Sequence, residues 1–249
     1  MLENIDLNDI KNIALEASKV IMEIYKRDFK VEYKDDKSPL TEADLQANEI
    51  ICNSLKNLYP NIPIMSEENK QTDYEIRKNW EYYWCIDPID GTKEFVKKND
   101  EFTVNIALIH NHEPVLGVVY APAIDVMYSA KIGVGAFKNT HKLPINRDDN
   151  KYIIVASKSH MSKETQEYID NIETSKEKEL ISMGSSLKLC LVADGSANCY
   201  PRIAPTMEWD TAAADAIVRI AGKMTYHFET QKPLIYNKEE LLNPDFVVK

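Results

Sequence analysis

The stretch WCIDPIDGTKEF, residues 84–95, places two aspartates, Asp87 and Asp90, directly after an apolar run. This run predicts a buried strand, and Pro88 predicts a turn because proline cannot continue a central strand. Two carboxylates held at a strand-to-helix turn repel each other unless a positive charge lies between them. We therefore interpret the pair as a cation site rather than as two solvated loop residues.

The chemistry of this pair suits a hard metal ion. Carboxylate oxygens without neighbouring cysteine or histidine favour Mg²⁺ over Zn²⁺. The EF-hand spacing that binds Ca²⁺ is absent, because the third position of a loop starting at Asp87 is Ile89. Gly91 and Thr92 then open the segment KEFVKKN, which is expected to start a helix, and backbone amides at a helix start bind phosphate. The sequence thus predicts Mg²⁺ beside a phosphate.

Three further acidic positions end a strand or begin a helix, and at each the residues alone favour a structural role. Thr41 and Asp44 fit a capping box at a helix start. Asp210 precedes an alanine-rich helix and suits its N-cap. Glu67 and Glu68 follow the strand IPIM and suit a solvated pair in a loop. Catalysis or metal binding is the alternative at each of these positions.

The elements that must position these acids follow from the apolar periodicity. A helical stripe predicts one helix over residues 6–26, and Thr41 opens a second helix that ends near Leu58. A charged loop, KRDFKVEYKDDKSP, joins them. IPIM is a short strand, FTVNIALI and PVLGVVY form an antiparallel hairpin, and VMYSA and GVGAF extend it. The first half is therefore two helices on a mostly antiparallel sheet.

A polar segment, NTHKLPINRDDNK, marks the candidate boundary between an N-terminal half, residues 1–138, and a C-terminal half, residues 139–249. In the second half, YIIVAS and ELISM are strands that alternate with helices. The helices are expected at about 160–172, at 185–194 before Gly195, and at 211–221 before Gly222. This half is layered α/β, and Asp210 lies within it.

The composition narrows the class of protein. A formal net charge of −10 over 249 residues argues against nucleic acid as a partner, whereas a small phosphorylated substrate needs only local cations or metal. No apolar run approaches the ~20 residues that cross a bilayer, so no transmembrane segment is expected. The acidic N-terminus is unlike a signal peptide, and a cytoplasmic location is expected. The four cysteines show no C-x-x-C pairing and are interpreted as buried free thiols.

Several of these segments together resemble a known family. DPIDGTKEF and EWDTAAADAIVRIAG resemble the two signatures of the inositol monophosphatase superfamily of Mg²⁺-dependent, lithium-sensitive phosphatases. SPLTEAD, MSEEN, GSSLKLCLVADGSANCYPR and KPLIYN…LLNPDF narrow the resemblance to the bacterial 3′(2′),5′-bisphosphate nucleotidases, and it extends from Ser38 to Phe246. It implies the layered αβαβα sandwich of inositol monophosphatases and fructose-1,6-bisphosphatases, an α/β fold with an α+β half and an α/β half.

The resemblance also implies the roles of site residues, matched position by position. Two or three Mg²⁺ ions would be bound by the side chains of Glu67, Asp87, Asp90 and Asp210 and by the main-chain carbonyl of Ile89. Asp44 and Thr92 match the pair that orients and activates the attacking water, and Glu67 belongs to the same catalytic set. Substrate contacts match Glu67, Ile89, Asp90, Gly91, Thr92, Ser185, Lys188, Arg202 and Asp210.

The activity implied by the resemblance is hydrolysis of the 3′-phosphate of adenosine 3′,5′-bisphosphate, which recycles a by-product of sulfate assimilation. An inositol monophosphatase is the nearest alternative, although that subfamily usually has Thr-Asn where this chain has Lys93 and Glu94. A haloacid-dehalogenase-type phosphatase uses D-x-D-G-T, and the spacing here is D-x-x-D. A metal- or nucleotide-sensing module is the non-enzymatic alternative. The sequence does not distinguish a monomer from a homodimer.

Overall fold

The computed structural model describes residues 1–34, 39–145, 150–156 and 161–249. Within these ranges a short 3₁₀-helix spans Leu2–Asn4, and the α-helices are α1 (Leu7–Tyr25), α2 (Glu42–Leu58), α3 (Tyr74–Arg77), α4 (Thr92–Val96), α5 (Lys163–Asp170), α6 (Leu187–Ala193) and α7 (Glu208–Ile220). Ser38, Ser157 and His160, which begin or end predicted segments, lie outside the described residues, as do residues 146–149 of the candidate boundary.

The strands of the described chain are short outside one sheet. They are β1 (Val31–Tyr33), β2 (Pro39–Thr41), β3 (Ile64–Ser66), β4 (Tyr82–Asp90), β5 (Thr103–His110), β6 (Glu113–Ala121), β7 (Val126–Lys131), β8 (Gly135–Lys138), β9 (His141–Lys142), β10 (Lys151–Ala156), β11 (Glu177–Ser182), β12 (Tyr200–Arg202), β13 (Thr225–His227) and β14 (Phe246–Val248).

The central sheet contains β3 to β9 in chain order. β3 and β4 are parallel, and the other neighbours are antiparallel. The predicted hairpin is confirmed as β5 and β6, which pair His110 with Glu113 at the turn. A sheet of this size supplies two faces, each of which must be covered by another layer.

Both faces of the central sheet are covered, because its strands are apolar on both sides. Along β5, Val104, Ile106 and Leu108 pack in the cluster that α1 and α2 contribute to. The alternate residues Ala107 and Ile109 pack in a second cluster with α6 and α7. The two helices predicted for the first half, confirmed as α1 and α2, thus lie on the opposite face from α7.

A second layer of strands lies beyond α6 and α7. β10 and β11 form a parallel pair, and β12, β14 and β13 form an antiparallel sheet with β14 in the centre. α5 contacts β12 from outside. The order of layers is therefore helix, sheet, helix, sheet, helix, which confirms the predicted αβαβα arrangement.

Helix ends follow their predicted signals with one correction. Thr41 is the N-cap of α2, and Gly195 and Gly222 follow the C-caps of α6 and α7 with positive φ. The prediction that Asp210 is an N-cap is wrong, because α7 begins one turn earlier. Met207 is the N-cap residue, and the carboxylate of Asp210 accepts a hydrogen bond from its N–H at 2.8 Å.

Two other local predictions are wrong. The chain does not turn at Pro88, because β4 continues to Asp90 and the ladder with β5 shifts register between Asp87 and Asp90. Pro88 lies in this irregularity, where the ladder does not require its missing N–H. The charged loop after α1 also contains strand β1, which pairs antiparallel with β2.

The expectation about the cysteines is confirmed. The four cysteines are free and buried, as predicted. No helix in the described ranges has the length and apolar character of a membrane span.

Candidate active site

The site begins at one edge of the central sheet, where β3 and β4 end side by side. The two strands are parallel, with Ser66 paired to Ile86. Glu67 follows β3 directly, and its N–H donates to the Ile86 carbonyl at 3.1 Å. Asp87 is the next residue of β4. Parallel pairing therefore brings two acids that are distant in sequence to the same edge.

The first turn of α7 adds a third acid. α7 packs across β4, β5 and β6, which places Asp210 above the end of β4. One carboxylate oxygen each from Glu67, Asp87 and Asp210 lies within 4.8 Å of the others. Within the described ranges, no other cluster of three acidic, histidine or cysteine side chains has this spacing.

Burial makes the ionised form of this cluster unfavourable. Asp87 is 2% exposed, and burial, followed by the charges of Glu67 and Asp90, raises its pKa well above the ordinary range. Burial and the charge of Asp90 raise the pKa of Asp210 in the same direction. An all-oxygen set of acids that repel one another fits a hard divalent cation, and Mg²⁺ matches this set.

Asp90 lines the same pocket, but one of its carboxylate oxygens accepts two hydrogen bonds from the protein. Its Oδ2 accepts hydrogen bonds from the Ser186 N–H and from Asn105 Nδ2, the latter at 3.3 Å. Burial raises its pKa to about 6, although the positive charge of Lys188 and the Ser186 N–H lower it. The structure therefore brings Asp90 beside the three-acid cluster with one oxygen already engaged by the protein.

The predicted pair Asp44 and Thr92 is in contact. Thr92 begins α4, and its hydroxyl lies 3.2 Å from Asp44 Oδ1 and 3.1 Å from the Ile89 carbonyl. Asp44 Oδ2 accepts the Thr41 N–H at 2.8 Å and its hydroxyl at 2.6 Å, which completes the predicted capping box. Burial raises the pKa of Asp44 despite these hydrogen bonds. Asp44 thus caps α2 and contacts Thr92 at once.

The opposite wall of the pocket is cationic. Lys188 is buried, its Nζ donates to the Ser185 carbonyl at 2.6 Å, and burial lowers its pKa to about 8 against the opposing effect of Asp90. Arg202 is also buried, and one guanidinium nitrogen donates to the Pro205 carbonyl at 3.0 Å. Its Nε has no hydrogen-bond partner among the described residues. Two positive groups thus face the acidic cluster across one pocket.

The predicted residues converge, although this convergence does not assign their roles. The pocket is lined by Glu67, Asp87, Ile89, Asp90, Gly91, Thr92, Ser185, Lys188, Arg202 and Asp210. Asp44 lies behind this wall and is 1% exposed.

Sequence reasoning missed some residues and misjudged one pair. Glu67 and Glu68 are not a solvated pair, because both accept hydrogen bonds from Lys34, at 2.8 and 2.7 Å, and the Glu68 side chain is 5% exposed. Asn105 and Ser186 also had no predicted role. Asn105 is the one amide in the apolar strand FTVNIALI, and that isolated polar residue was the available signal.

Comparison with known proteins gives consistent matches over nearly the whole chain. The model of the inositol monophosphatase family matches residues 1–245. The 3′(2′),5′-bisphosphate nucleotidase CysQ of Shigella flexneri is 45% identical over 248 residues, which cover 97% of this chain and 98% of that protein. The protein of the same name from Haemophilus influenzae is 38% identical over 251 residues, covering 97% of this chain and 91% of that one.

Solved structures agree with these sequence matches. CysQ from Bacteroides thetaiotaomicron superposes with a TM-score of 0.89 at 44% identity, covering 98% of this chain and 96% of that one. An IMPase from Thermotoga maritima superposes with a TM-score of 0.79 at 26% identity, covering 96% and 89%. The similarity therefore includes both sheet layers and every element that positions the pocket.

Proposed function

Because the chain belongs to the inositol monophosphatase family, we propose that it is a Mg²⁺-dependent 3′(2′),5′-bisphosphate nucleotidase. It would hydrolyse the 3′-phosphate of adenosine 3′,5′-bisphosphate and release AMP and phosphate. The observation that supports this substrate best is that the carboxylate cluster shares its pocket with two buried cations, Lys188 and Arg202. Relatives named for this activity are 38–45% identical to the chain.

The proposed cation site uses the side chains of Glu67, Asp87, Asp90 and Asp210 and the Ile89 carbonyl, for two or three Mg²⁺ ions. When bound, Mg²⁺ supplies a Lewis acid that stabilises charge on phosphate oxygens and lowers the pKa of water. Uncatalysed hydrolysis of phosphate monoesters is slow enough that the site must lower the barrier by on the order of 20 kcal/mol.

Asp44 and Thr92 would move the proton of the attacking water. The hydroxyl of Thr92 has a single proton, and Asp44 Oδ1 is in reach of it at 3.2 Å. If that proton is directed to Asp44, the Thr92 oxygen is left to accept a proton from water. Thr41 donates two hydrogen bonds to Asp44 Oδ2, so Oδ1 stays directed at the Thr92 hydroxyl. The raised pKa of Asp44, caused by burial, makes it a better proton acceptor.

Arg202 and Lys188 would bind the phosphate that is not cleaved. A bisphosphate has a second phosphate group at the far end of the ribose, and an acidic protein must supply a local cation for it. Arg202 can donate two parallel hydrogen bonds to a phosphate, and a charge-assisted contact contributes ~1.5–3 kcal/mol. Ser185, whose carbonyl accepts a hydrogen bond from Lys188, lines the same pocket.

The substrate is tested by phosphate release from adenosine 3′,5′-bisphosphate, an inositol monophosphate and a sugar bisphosphate. Arg202→Ala should lower kcat/KM for the nucleoside bisphosphate by roughly 10- to 150-fold, because one charge-assisted contact is lost. Hydrolysis of 3′-AMP, which lacks the second phosphate, should hardly change. Arg27→Ala is the matched control, because Arg27 is an exposed arginine that pairs with Glu42.

Two outcomes would contradict the substrate assignment. An unchanged ratio of the two kcat/KM values in Arg202→Ala would mean that Arg202 does not bind the second phosphate. Preferential hydrolysis of the inositol phosphate would favour the inositol monophosphatase alternative. The 3′-phosphoadenylyl sulfate analogue belongs in the same screen, because it has the same 3′-phosphate and the sequence does not tell whether it is a substrate.

Inhibition by lithium follows from the proposed cation site. Li⁺ has a radius near that of Mg²⁺ but half its charge, so it can occupy the site of a Mg²⁺ ion without supporting the reaction. Phosphate release should therefore fall in LiCl relative to NaCl at equal ionic strength. Equal rates in the two salts would count against this part of the proposal.

A further inference from the structure

A chain of four hydrogen-bonded polar side chains, three of them buried, runs from β5 to the pocket and ends at Asp90. Thr103 and Asn105 belong to β5, Ser186 precedes α6, and Asp90 ends β4. Thr103 and Asn105 are 0% exposed and Ser186 is 1% exposed. The Thr103 and Ser186 hydroxyls are 2.9 Å apart, and the Ser186 hydroxyl is 2.9 Å from Asn105 Oδ1. Asn105 Nδ2 is 3.3 Å from Asp90 Oδ2.

The chemistry of these groups fixes the direction of each hydrogen bond. An ionised carboxylate only accepts, so the Asn105 amide must donate to Asp90 through Nδ2. Its Oδ1 then faces Ser186 and accepts the hydroxyl proton. Ser186 has no second hydroxyl proton, so Thr103 must donate to it. The chain of donors therefore runs from Thr103 through Ser186 and Asn105 to Asp90.

This arrangement fixes the rotation of the Asp90 carboxylate. Oδ2 accepts from both the Asn105 amide and the Ser186 N–H. Oδ1 accepts no hydrogen bond from the described residues. The side chain therefore cannot rotate about its last bond without breaking two hydrogen bonds and leaving the donors of the buried residues Asn105 and Ser186 unpaired, which is costly. Asp90 is held with one oxygen turned to the protein and the other left for a ligand.

The same hydrogen bonds hold residues 184–188, a loop that continues into the first two residues of α6 and is called the 184–188 loop below. Ser186 bonds Asp90 through its N–H and Asn105 through its hydroxyl. Gly184 packs so closely on Glu101 that a Cβ there would lie 2.8 Å from the Glu101 backbone oxygen. Lys188 donates to the Ser185 carbonyl within this loop. The loop that presents Ser185 and Lys188 to the pocket is thus fastened to a carboxylate of the opposite wall.

We propose that Asn105 is a positioning residue that aligns Asp90 for the cation and fastens the 184–188 loop to it. The inference rests on the cation-binding part of the proposed function and extends it to a residue that contacts neither the cation nor the substrate. Loss of the Asn105 amide frees the Asp90 carboxylate to rotate and removes the acceptor of the Ser186 hydroxyl. Both cation affinity and substrate affinity depend on this one side chain.

The test replaces Asn105 by leucine, which has a similar size and no polar atoms. Calorimetric titration of Mg²⁺ into the substrate-free protein should show Kd raised by roughly 10- to 100-fold, the usual effect of losing a residue that orients a metal ligand. At saturating Mg²⁺, KM for adenosine 3′,5′-bisphosphate should also rise. Asn105→Ser, whose short side chain cannot reach both neighbours, should change Kd in the same direction and serves if the leucine variant does not fold.

The matched control is Asn237→Leu, which alters a side chain that is 2% exposed and bonded to Arg77 away from the pocket. It should lower Tm and leave the Mg²⁺ Kd unchanged. A wild-type Kd in Asn105→Leu, or an equal loss in Asn237→Leu, overturns the inference. The Mg²⁺ titration contains no substrate, so its result does not depend on which phosphate ester the enzyme prefers. Failure of the substrate screen therefore remains distinguishable from failure of the inference about Asn105.

Discussion

Three aspartates of the site, Asp44, Asp87 and Asp210, each use one carboxylate oxygen for local structure and leave the other for the site. Asp44 caps α2 with Oδ2 and meets Thr92 with Oδ1. Asp87 accepts the Ile89 N–H with Oδ1, and Asp210 accepts the Met207 N–H with Oδ2. In each case a backbone amide orients the carboxylate and leaves its second oxygen for the pocket. In the proposed function, each of these side chains therefore supports the local backbone and takes part in the chemistry.

Asp210→Asn should separate these two roles. The amide oxygen can still accept the Met207 N–H, so the first turn of α7 is kept, but the negative charge is lost. Phosphate release should fall roughly 10²- to 10⁴-fold, because one ligand of the cation site loses its charge. The Mg²⁺-free protein should be at least as stable as the wild type, since one charge of a repelling cluster is gone. Assays of phosphate release and thermal unfolding without Mg²⁺ measure both effects.

Two outcomes for Asp210→Asn would contradict the roles proposed for this carboxylate. Full activity in the presence of EDTA would contradict a catalytic cation at this position. A large loss of Mg²⁺-free stability would mean that the carboxylate is mainly structural. Asp215→Asn is the control, because Asp215 is buried in the same helix but pairs with Arg219 rather than facing the pocket.

At the residue scale, the sequence predicted the acids more reliably than their supports. Asp87 and Asp90 stood out because two charges three positions apart directly follow an apolar run. Asp44 was ambiguous because the capping signal and the catalytic signal are the same residue. Lys34 was missed because it is more than 30 residues from Glu67 and Glu68 in the sequence. It becomes their hydrogen-bond partner only in the folded chain, where β1 pairs with β2. Such contacts depend on tertiary structure and leave no local pattern.

At the element scale, the position of α7 depends on a glycine in the central sheet. Gly117 of β6 faces α7, and a Cβ there would lie 2.1 Å from the Ala213 carbonyl oxygen and 2.8 Å from Ala216 Cβ. The alanine-rich face of α7 and the missing side chain of Gly117 together allow helix and strand to approach closely. Asp210 lies in the first turn of α7. This contact between α7 and β6 therefore determines how far Asp210, a proposed cation ligand, lies from the end of β4.

Gly117→Ala should therefore push α7 away from β6. Overpacking of this kind costs roughly 1–3 kcal/mol of the free energy of unfolding, and the close approach to a backbone oxygen places it at the upper end. Mg²⁺ affinity should fall as well, because Asp210 moves with the helix. Chemical denaturation and Mg²⁺ titration check the two effects.

The control is Gly133→Ala, where a Cβ meets no atom within 4 Å but φ is +83°. This variant should lose stability through backbone strain alone and keep its Mg²⁺ affinity. If Gly117→Ala lowers stability without changing the affinity for Mg²⁺, the packing of α7 does not position Asp210 in the way argued above.

Elements were predictable where a local signal and the tertiary fold agree. The capping residue of α2, the glycines after α6 and α7, and the alternation in the hairpin all act within a few residues. The extent of β4 was not predictable, because proline in a strand is tolerated only where the ladder is irregular. Strand β1 was hidden because it is three residues long and mostly exposed.

At the scale of the whole molecule, the two predicted halves share a core. α7 belongs to residues 139–249 and packs on strands β4 to β8 of the central sheet, which belong to residues 1–138. The proposed cation site spans the same junction, with Glu67 and Asp87 on one side and Asp210 on the other. The division into these two halves stays a prediction. Binding of the proposed cation at this junction would hold the two halves together. Mg²⁺ binding would therefore add to the free energy of unfolding of the protein.

The contribution of Mg²⁺ binding to the stability of the protein should depend on pH. Burial and neighbouring carboxylates raise the pKa of Asp90 to about 6 and those of Asp87 and Asp210 well above the ordinary range. The folded protein therefore holds protons that the unfolded chain releases near pH ~4, and the stability from these groups falls as pH rises through their folded pKa values.

Thermal unfolding with EDTA and with MgCl₂, at equal ionic strength, should consequently diverge as pH rises from 5 to 8. Without Mg²⁺, raising the pH ionises the crowded carboxylates and destabilises the fold. With Mg²⁺, the same ionisation completes the ligand set and strengthens binding, so the rise in Tm caused by Mg²⁺ should be larger at pH 8 than at pH 5. Asp210→Asn should reduce this difference, because it removes one of the titrating groups. A Mg²⁺ effect on Tm that is the same at both pH values in the wild type would contradict a cation site built from carboxylates with raised pKa.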